Sequence, residues 1–323
     1  MLAALARRLT AGVAVIVGVV TLTFCLLRLA PGDPARWLVG PNATPAQLAA
    51  QRHELGLDRP LAVQYATWLG RAARGDWGTS IASGRPVATL VAEAWPATAR
   101  LVGLSLILSY LLGLLVGAVQ AAQSGSRLDT ALSVVSVTLF ALPGYWLGLM
   151  LVMTLSYWLP LLPAFGAAGV DAPHLTGSGR LLDAVRHLAL PLTTLTLIGI
   201  GGAARYFRGA LLDVRAQPFV TTARAKGLSP ARVLLHHMLR NALVPALVLL
   251  GLSLPALFSG AVFVEAVFAW PGVGRVLVEA VQARDYPVVT AATTISATLV
   301  VAGNLLADVL AAYADPRTRA AGA

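Results

Sequence analysis

The sequence predicts an all-α polytopic membrane protein with six transmembrane helices, both termini in the cytoplasm and a large extracytoplasmic loop after the first helix. Of the 323 residues, 57% are hydrophobic and 12% are charged, whereas soluble domains carry about 25% charged residues. Mean hydropathy is +0.75. Uncharged runs that approach or exceed the roughly 20 residues needed to cross a bilayer alternate with segments that carry arginine.

The formal net charge of +10 is also a feature of chains that bind nucleic acid. Here, however, many of the basic residues stand at the ends of apolar runs, which is typical of cytoplasmic loops that follow the positive-inside rule. We therefore expect contact with membrane lipid and no nucleic-acid partner. Cys25 is the only cysteine in the sequence, so an internal disulfide is excluded and the redox compartment stays open.

Residues 1–30 are predicted to form a short cytoplasmic N-terminus and the first span. Arg7 and Arg8 precede the run Leu9–Leu27, which carries no charge. A secretory signal has a shorter apolar region of about 7–15 residues and a small-residue cleavage site. The run is therefore interpreted as an uncleaved spanning helix.

Residues 31–96 are predicted to form an extracytoplasmic subdomain of mixed charge. Thr44 and Pro45 begin a segment with the pattern of a capped helix that stops near Gly56, and Arg59–Gly78 is typical of a second helix ending in a turn. Basic residues occur here too, but long loops cross a membrane largely regardless of their charge.

Residues 97–313 are predicted to form the main transmembrane domain, and residues 314–323 a cytoplasmic tail. The uncharged run Thr130–Val170 is too long for one crossing, so the third span is expected to end near Trp158, with a kink at Pro143–Gly144. The fifth span is expected to be interrupted at Pro245 and Pro255. The predicted second to sixth spans are Leu101–Ser126, Thr130–Trp158, His187–Ala204, Asn241–Val264 and Tyr286–Ala307.

The segment 210–240 is predicted to be a cytoplasmic loop, because seven basic residues and one acid lie between Arg205 and Arg240. Within it, Pro218 suits the first position of a helix, and Gly227 suits the left-handed residue that follows a helix end. Ser229 and Pro230 then predict the start of a second helix. Phe219 and Val220 are expected to form an apolar tip on the first of these helices.

Several sequence stretches together resemble one family of membrane proteins. The loop TARAKGLSPARVLLHHMLRNALVP resembles the cytoplasmic coupling loop of ABC importer permeases, in the variant found in peptide/nickel-type importers. Aligned on Gly227, the loop has Thr221-Thr222-Ala223 at the position of the Glu-Ala-Ala motif and His237-Met238-Leu239-Arg240 at its end. Further matching stretches are LAPGDPA, GDWGTS, FVEAVFAWPGVGRVLVEA, RDYPVV and ADPRTR.

The resemblance implies a permease subunit in the inner membrane of a bacterial cell, similar to the first of the two permeases of such an importer. The implied partners are a second homologous permease, two cytoplasmic ATPase subunits and an extracytoplasmic solute-binding protein. ATP and Mg²⁺ are expected in the ATPases, and no cofactor in this chain. The residues expected to couple the ATPases to transport are Phe219, Val220, Thr221, Thr222, Ala223, Arg224, Ala225, Lys226 and Gly227.

Small polar residues and prolines in the third and fifth spans are candidates for the translocation path, namely Ser136, Pro143, Ser253, Pro255 and Ser259. For any one of them, ordinary helix packing is the favoured role, because membrane helices pack through small and hydroxyl residues. Glu265 and Asp308 are expected to be interfacial structural acids. His236 and His237 are adjacent on a helix and point about 100° apart, so no metal site is predicted.

Two other functions remain as alternatives. A self-sufficient secondary transporter predicts internal repeats and charged or unwound sites in the middle of the membrane, and neither is clear in the sequence. An intramembrane enzyme requires a catalytic constellation, and none is recognisable. The single lysine, Lys226, is not followed by Ser or Thr, so the sequence has no P-loop for ATP. The transported solute stays open among peptides, nickel or other metal chelates and glutathione.

Overall fold

The computed structural model describes residues 2–29, 34–40 and 42–314, and in this part of the chain the regular structure is helical apart from one β-bridge between Thr79 and Pro86. The α-helices are α1 (Leu2–Leu29), α2 (Pro34–Val39), α3 (Pro45–Glu54), α4 (Leu61–Ala72), α5 (Val87–Ala122), α6 (Arg127–Ala141), α7 (Gly144–Val152), α8 (Gly177–Arg215), α9 (Pro218–Ala225), α10 (Pro230–Arg232), α11 (Leu239–Val267), α12 (Val273–Gln282) and α13 (Tyr286–Ala314). Two π-helical segments, Met153–Trp158 and Val233–Met238, continue α7 and join α10 to α11.

Four helices in the described part of the chain, α1, α5, α8 and α13, are long and apolar enough to cross a membrane. A fifth candidate is the pair Arg127–Ala141 and Gly144–Trp158, which is bent by 102° at its break. The third span was expected to be one helix kinked at Pro143. Instead Leu142 and Pro143 are both extended, so the helix stops and restarts in a new direction.

Several helix boundaries differ from the prediction. The second span begins earlier, because α5 starts at Val87 and runs through Pro96, so the end of the predicted subdomain 31–96 belongs to this helix. The fourth span also begins earlier than the predicted His187, because α8 starts at Gly177. The predicted interruptions of the fifth span are wrong, because α11 remains helical through Pro245 and Pro255. Within α11, Ala256–Val267 is apolar but shorter than a full span.

The described chain divides into two compact units. One contains Met1–Arg8, Ala99–Trp270 and Ala302–Ala323, and the other contains Leu9–Thr98 and Pro271–Val301. In the first unit, helices approach closely through small residues, as is usual in membrane proteins. A Cβ on Gly113 or Gly117 of α5 would lie within 3 Å of Ala203 or Ala204 of α8.

The first unit also contains an ion pair between Arg8 of α1 and Asp308 of α13. Gly251 of α11 lies so close to Ala307 of α13 that an added Cβ would meet its backbone at 2.5 Å. Glu265, which was expected at the membrane interface, is fully buried near the end of α11. Two residues later that helix ends, and its backbone turns at Ala269 with φ 49°.

In the second unit, α4 packs on α1 through one aromatic residue. The ring of Tyr65 meets Phe24 edge-on at 5.2 Å, and its hydroxyl lies 2.6 Å from Thr21 Oγ1. Helix α3 begins with the predicted cap, because Thr44 and Gln47 form a capping box. The turn after α3 is fixed by the imidazole of His53, which hydrogen-bonds Asp58 at 2.6 Å and thereby lowers the pKa of that carboxyl.

The loop before α5 is attached to the start of α13. Asp285 precedes α13 and accepts hydrogen bonds from Ser80 Oγ at 2.5 Å and from the backbone N–H of Ala82 at 3.1 Å. The start of α5 and the helices α12 and α13 share one apolar core, which includes Val87, Val273 and Ala292. The GDWGTS and RDYPVV stretches are therefore hydrogen-bonded to each other in this unit.

Candidate functional site

The candidate coupling element is α9, and its start follows from three consecutive residues. Gln217 is extended (φ −76°, ψ 144°), and Pro218 occupies the first helical position, where its missing N–H costs no hydrogen bond. Thr222 Oγ1 donates to the carbonyl of Pro218 at 3.1 Å. The predicted start of this helix is confirmed.

Gly227 ends the helix in the left-handed conformation that was predicted, with φ 77°. Its N–H donates to the carbonyl of Arg224 at 2.9 Å, and the N–H of Leu228 donates to the carbonyl of Ala223 at 3.4 Å. These two bonds form a Schellman motif, which satisfies carbonyls that the helix end leaves free. Ser229 is then extended, and Pro230 begins α10.

One face of α9 is buried in its own unit. Val220 is 1% exposed and Ala223 is 5% exposed. Both belong to a core cluster with Ala121 of α5, Leu211 of α8 and the residues Val233, Met238 and Ala242. The expectation that Val220 shares an exposed apolar tip with Phe219 is therefore wrong. Residues 220 and 223 lie one turn apart on the same face, and that face packs the helix against the rest of its unit.

The rest of the surface of α9 is exposed. Phe219 is 41% exposed, and the exposed residues beside it are Thr221, Thr222, Arg224, Ala225, Lys226 and Gly227. Arg224 and Lys226 make no ion pair with any residue in the described ranges. The exposed surface of α9 therefore carries one aromatic ring and, towards the end of the helix, two cations, which suits a groove with an apolar floor and acidic margins.

The helices under α9 are held together by two arginines of α8. Arg215 Nη1 donates to the carbonyl of Ala121 at 3.2 Å, near the end of α5. Arg208 forms an ion pair with Asp129, in the first turn of α6. The sequence reasoning missed both contacts. The available signal was the spacing of seven residues, which places both arginines on one face of a helix, opposite a short turn that contains one acid.

The candidate path residues do not form one surface in the described part of the chain. Ser136 is buried where α6 crosses α8, and Ser253 Oγ donates to the carbonyl of Leu249 at 2.9 Å. Tyr110 O–H therefore donates to Ser253 Oγ, at 2.8 Å, because the serine hydroxyl has a single proton. Pro143 and Ser259 are exposed. The side chain of Pro255 lies outside the described residues.

Two family models match the sequence in succession. The first, an N-terminal membrane component of binding-protein-dependent transport systems, matches residues 1–102. The second, described as a binding-protein-dependent transport system inner membrane component, matches residues 109–320. The second match includes α9, the whole of α8 and the last part of α5, against which α9 packs.

Full-length relatives agree with these matches. The chain is 40% identical over 333 residues to the di/tripeptide transport system permease protein DppB of Pseudomonas aeruginosa (strain UCBPP-PA14), with 99% of both chains covered. It is 38% identical over 318 residues to the oligopeptide transport system permease protein AppB of Bacillus subtilis (strain 168), with 98% of this chain and 99% of that protein covered.

The fold is also found in a solved transporter. The structure of the MetNI methionine ABC transporter in inward-facing conformations aligns with a TM-score of 0.55 and 16% identity, over 70% of this chain and 96% of that chain. The two family matches and the full-length relatives identify the family of the chain. It belongs to the family of inner-membrane permease components of binding-protein-dependent ABC transport systems, and it is a multi-pass membrane protein of the inner membrane.

Proposed function

We propose that this chain forms half of the translocation pathway of an ATP-driven importer for peptides or a related small solute, such as a nickel chelate or glutathione. Peptides are the first choice because the relatives named above are oligopeptide and di/tripeptide permeases that match nearly the whole chain. The other half of the pathway is a second, homologous permease. A solute-binding protein delivers the solute from outside.

In the proposed topology the chain crosses the membrane six times and both termini are cytoplasmic. The basic loop 205–240 is assigned to the cytoplasm by its seven basic residues. Cysteines introduced at Asn42 and Ser229, both exposed, should react with an impermeant thiol reagent from opposite sides of the membrane. Labelling of both positions from one side would overturn the six-span topology.

In the proposed assembly two cytoplasmic ATPase subunits bind and hydrolyse ATP with Mg²⁺, and this chain contributes no cofactor. The sequence has no Gly-Lys-Ser/Thr phosphate loop, so energy has to reach the pathway through a contact. We assign that contact to α9.

The observation that carries this assignment is the two-faced character of α9. Val220 and Ala223 pack one face into a cluster shared with α5 and α8, and Phe219, beside that face, is exposed on the surface of the chain. When the ATPases close, α9 moves with the groove that holds Phe219. Because its inner face is packed, the ends of α5 and α8 move with it, and this rigid-body motion alternates access to the pathway.

The test compares Phe219→Ala with Arg232→Ala in reconstituted membranes. Burying a large apolar side chain in a partner groove is worth roughly 1.5–3 kcal/mol, so Phe219→Ala should weaken ATPase retention tenfold or more, or uncouple hydrolysis from uptake. Arg232→Ala removes a cation from α10 outside the proposed contact and should leave both unchanged. Wild-type behaviour of Phe219→Ala in both assays would refute the assignment of α9.

The solute is identified separately, through the binding protein that works with this permease. Its affinities for di- and oligopeptides, glutathione and nickel chelates should rank the candidate solutes, with peptides bound best. A binding protein that takes only a metal chelate would replace peptides as the proposed solute without changing the proposed coupling.

A further inference from the structure

The second unit contains a partly open cavity of about 490 Å³. It lies between the end of α1, the α3–α4 turn, helix α4, the loop 76–84 and the start of α13. In the proposed topology this is the extracytoplasmic side. The volume falls in the range of small-ligand pockets, which is about 300–1,000 Å³.

Arg28 brings a guanidinium to the wall of this cavity from the last turn of α1. It is half-buried, 5.2 Å from the ring centre of Phe24 and 6.0 Å from that of Tyr286. Among the described residues it makes no ion pair with a carboxylate. A long basic side chain at the end of a spanning helix reaches the polar membrane interface, so Arg28 can stay charged and face a ligand in this cavity.

Helix α4 contributes a second part of the wall, with an unused donor and an unused acceptor. Gln64 Nε2 donates to the carbonyls of Leu57 at 3.2 Å and Arg59 at 2.7 Å, which fixes the α3–α4 turn. Gln64 Oε1 and Trp68 Nε1 are buried and have no hydrogen-bond partner in the described structure. Native proteins rarely leave such groups unpaired. A ligand with an amide group offers an N–H for Gln64 Oε1 and a carbonyl for Trp68 Nε1.

The rest of the lining mixes aliphatic and small polar residues with aromatic and charged ones, and both signs of charge are represented. Trp77 adds a second indole, Arg59 and Arg71 add cations, and Glu54 and Asp76 add carboxylates. The lining therefore carries groups complementary to both ends of a zwitterion. Stacking surfaces and amide partners lie in the same cavity.

We propose that this cavity is a receiving site for a short peptide with a free C-terminus, whose carboxylate pairs with Arg28 and whose side chains stack on Trp68 and Trp77. The proposal rests on the proposed import of peptides and adds a binding site on this chain for the incoming peptide. A phospholipid headgroup also carries an oxyanion. Peptide is favoured because the carboxylates and unpaired amide-type partners in the wall suit a peptide's ammonium and backbone.

The test uses the complete importer in nanodiscs and a photoreactive dipeptide, alanyl-p-benzoylphenylalanine, with the labelled residues mapped by mass spectrometry. Wild type should be labelled within residues 54–84, and unmodified dialanine should compete. The C-terminal amide of the probe should label about tenfold less, because it loses the charge-assisted hydrogen bonds to Arg28. Arg28→Gln should cause a similar loss with the acid probe, and Arg28→Lys a smaller one.

Arg74→Gln is the matched control, because Arg74 is an exposed cation of the same subdomain that does not line the cavity. It should label as wild type does. Equal labelling by acid and amide probes, or by wild type and Arg28→Gln, overturns the proposal. So does labelling that disappears when phosphatidylcholine nanodiscs are replaced by phosphatidylglycerol ones, since a lipid then occupies the cavity.

Uptake of the same dipeptide, measured in parallel, distinguishes a failure of the receiving site from a failure of peptides as the transported solute. A wild-type importer that transports the dipeptide but is not labelled in the cavity refutes the receiving site alone. An importer that does not transport any dipeptide refutes the peptide as solute, and with it the basis of the receiving site.

Discussion

Arg208 holds Asp129 through two parallel hydrogen bonds, Nε to Oδ1 at 2.7 Å and Nη2 to Oδ2 at 2.8 Å. Asp129 is 4% exposed and also accepts from the backbone N–H of Gly125 at 3.0 Å. The pair therefore attaches the α5–α6 turn to α8. Because α8 also carries Leu211, which shares a core cluster with Val220 of α9, we expect a displacement of α9 to reach the start of α6 as well.

The first prediction concerns this attachment. Arg208→Gln should lower solute uptake per ATP hydrolysed by roughly three- to tenfold, the usual size of a coupling change from one residue in a connecting network. Arg208→Lys keeps the charge but cannot make the two-pronged contact, so it should give an intermediate loss. ATPase activity and uptake measured on the same proteoliposomes give the ratio.

Arg8→Gln serves as the control for the Arg208 variants, because it also removes an arginine from an ion pair of the first unit. Arg8 and Asp308 are 47% and 40% exposed, and exposed pairs contribute little. Coupling should therefore stay at the wild-type ratio. An Arg208→Gln variant that couples as well as Arg8→Gln does would exclude a role for the Asp129 contact in transmission.

The second prediction concerns the end of α9. Gly227→Ala should strain the turn by about 1–2 kcal/mol, because a residue with a Cβ is forced to φ 77°. A Cβ there meets nothing within 4 Å, so a loss of transport reports backbone conformation and not a clash. Gly227→Val should impair uptake at least as much, with normal abundance in the membrane.

Gly209→Ala should have the opposite effect on stability. Gly209 lies inside α8, and a Cβ there also meets nothing within 4 Å. Alanine is favoured over glycine in a helix by about 1 kcal/mol, so this variant should be as stable as wild type or more stable. Thermal unfolding of both variants in detergent tests the contrast. Equal behaviour of Gly227→Ala and Gly209→Ala would mean that the turn tolerates a Cβ.

The third prediction separates the two faces of α9. Val220→Ala removes two methyl groups from a side chain that is 1% exposed, so it should destabilise the loop by roughly 1–3 kcal/mol. Phe219→Ala should leave the isolated chain as stable as wild type. Hydrogen exchange at 218–225, without partners, should accelerate only in Val220→Ala. Faster hydrogen exchange in Phe219→Ala instead would mean that Phe219, and not Val220, packs inward.

The sequence predicted the helices well where local chemistry decides them. Pro218, Gly227 and Pro230 each have a conformational preference strong enough to fix a boundary, and Thr44 capped α3 as expected. Charge was a poorer guide to span limits. The second span was predicted to begin at Leu101, where the uncharged run starts, but Glu93 and Arg100 are both contained in α5, because a long helix can continue beyond the apolar run.

The candidate site was predicted in part. The position of α9 in the chain was evident, but which face packs inward was not, because Phe219 and Val220 are adjacent and equally apolar. That choice depends on Leu211, Val233 and Ala121, which are distant in sequence or on other helices. The Asp129–Arg208 pair spans 79 residues, and no local pattern specifies such a contact.

The last prediction concerns the crossing of α6 and α8. At Gly201 of α8 an added Cβ would lie 2.4 Å from the carbonyl oxygen of Ser136 and 2.8 Å from the backbone nitrogen of Phe140. Backbone atoms cannot rotate away, so Gly201→Ala has to push the two helices apart, and overpacking of this kind costs about 1–3 kcal/mol. We expect a lower melting temperature in detergent and slower uptake. Gly103→Ala is the control, because a Cβ on Gly103 of α5 meets nothing within 4 Å, and it should melt as wild type does or higher. Equal melting temperatures for the two variants would mean that the crossing adjusts freely, and the close approach of α6 to α8 would then not be a fixed part of the structure under α9.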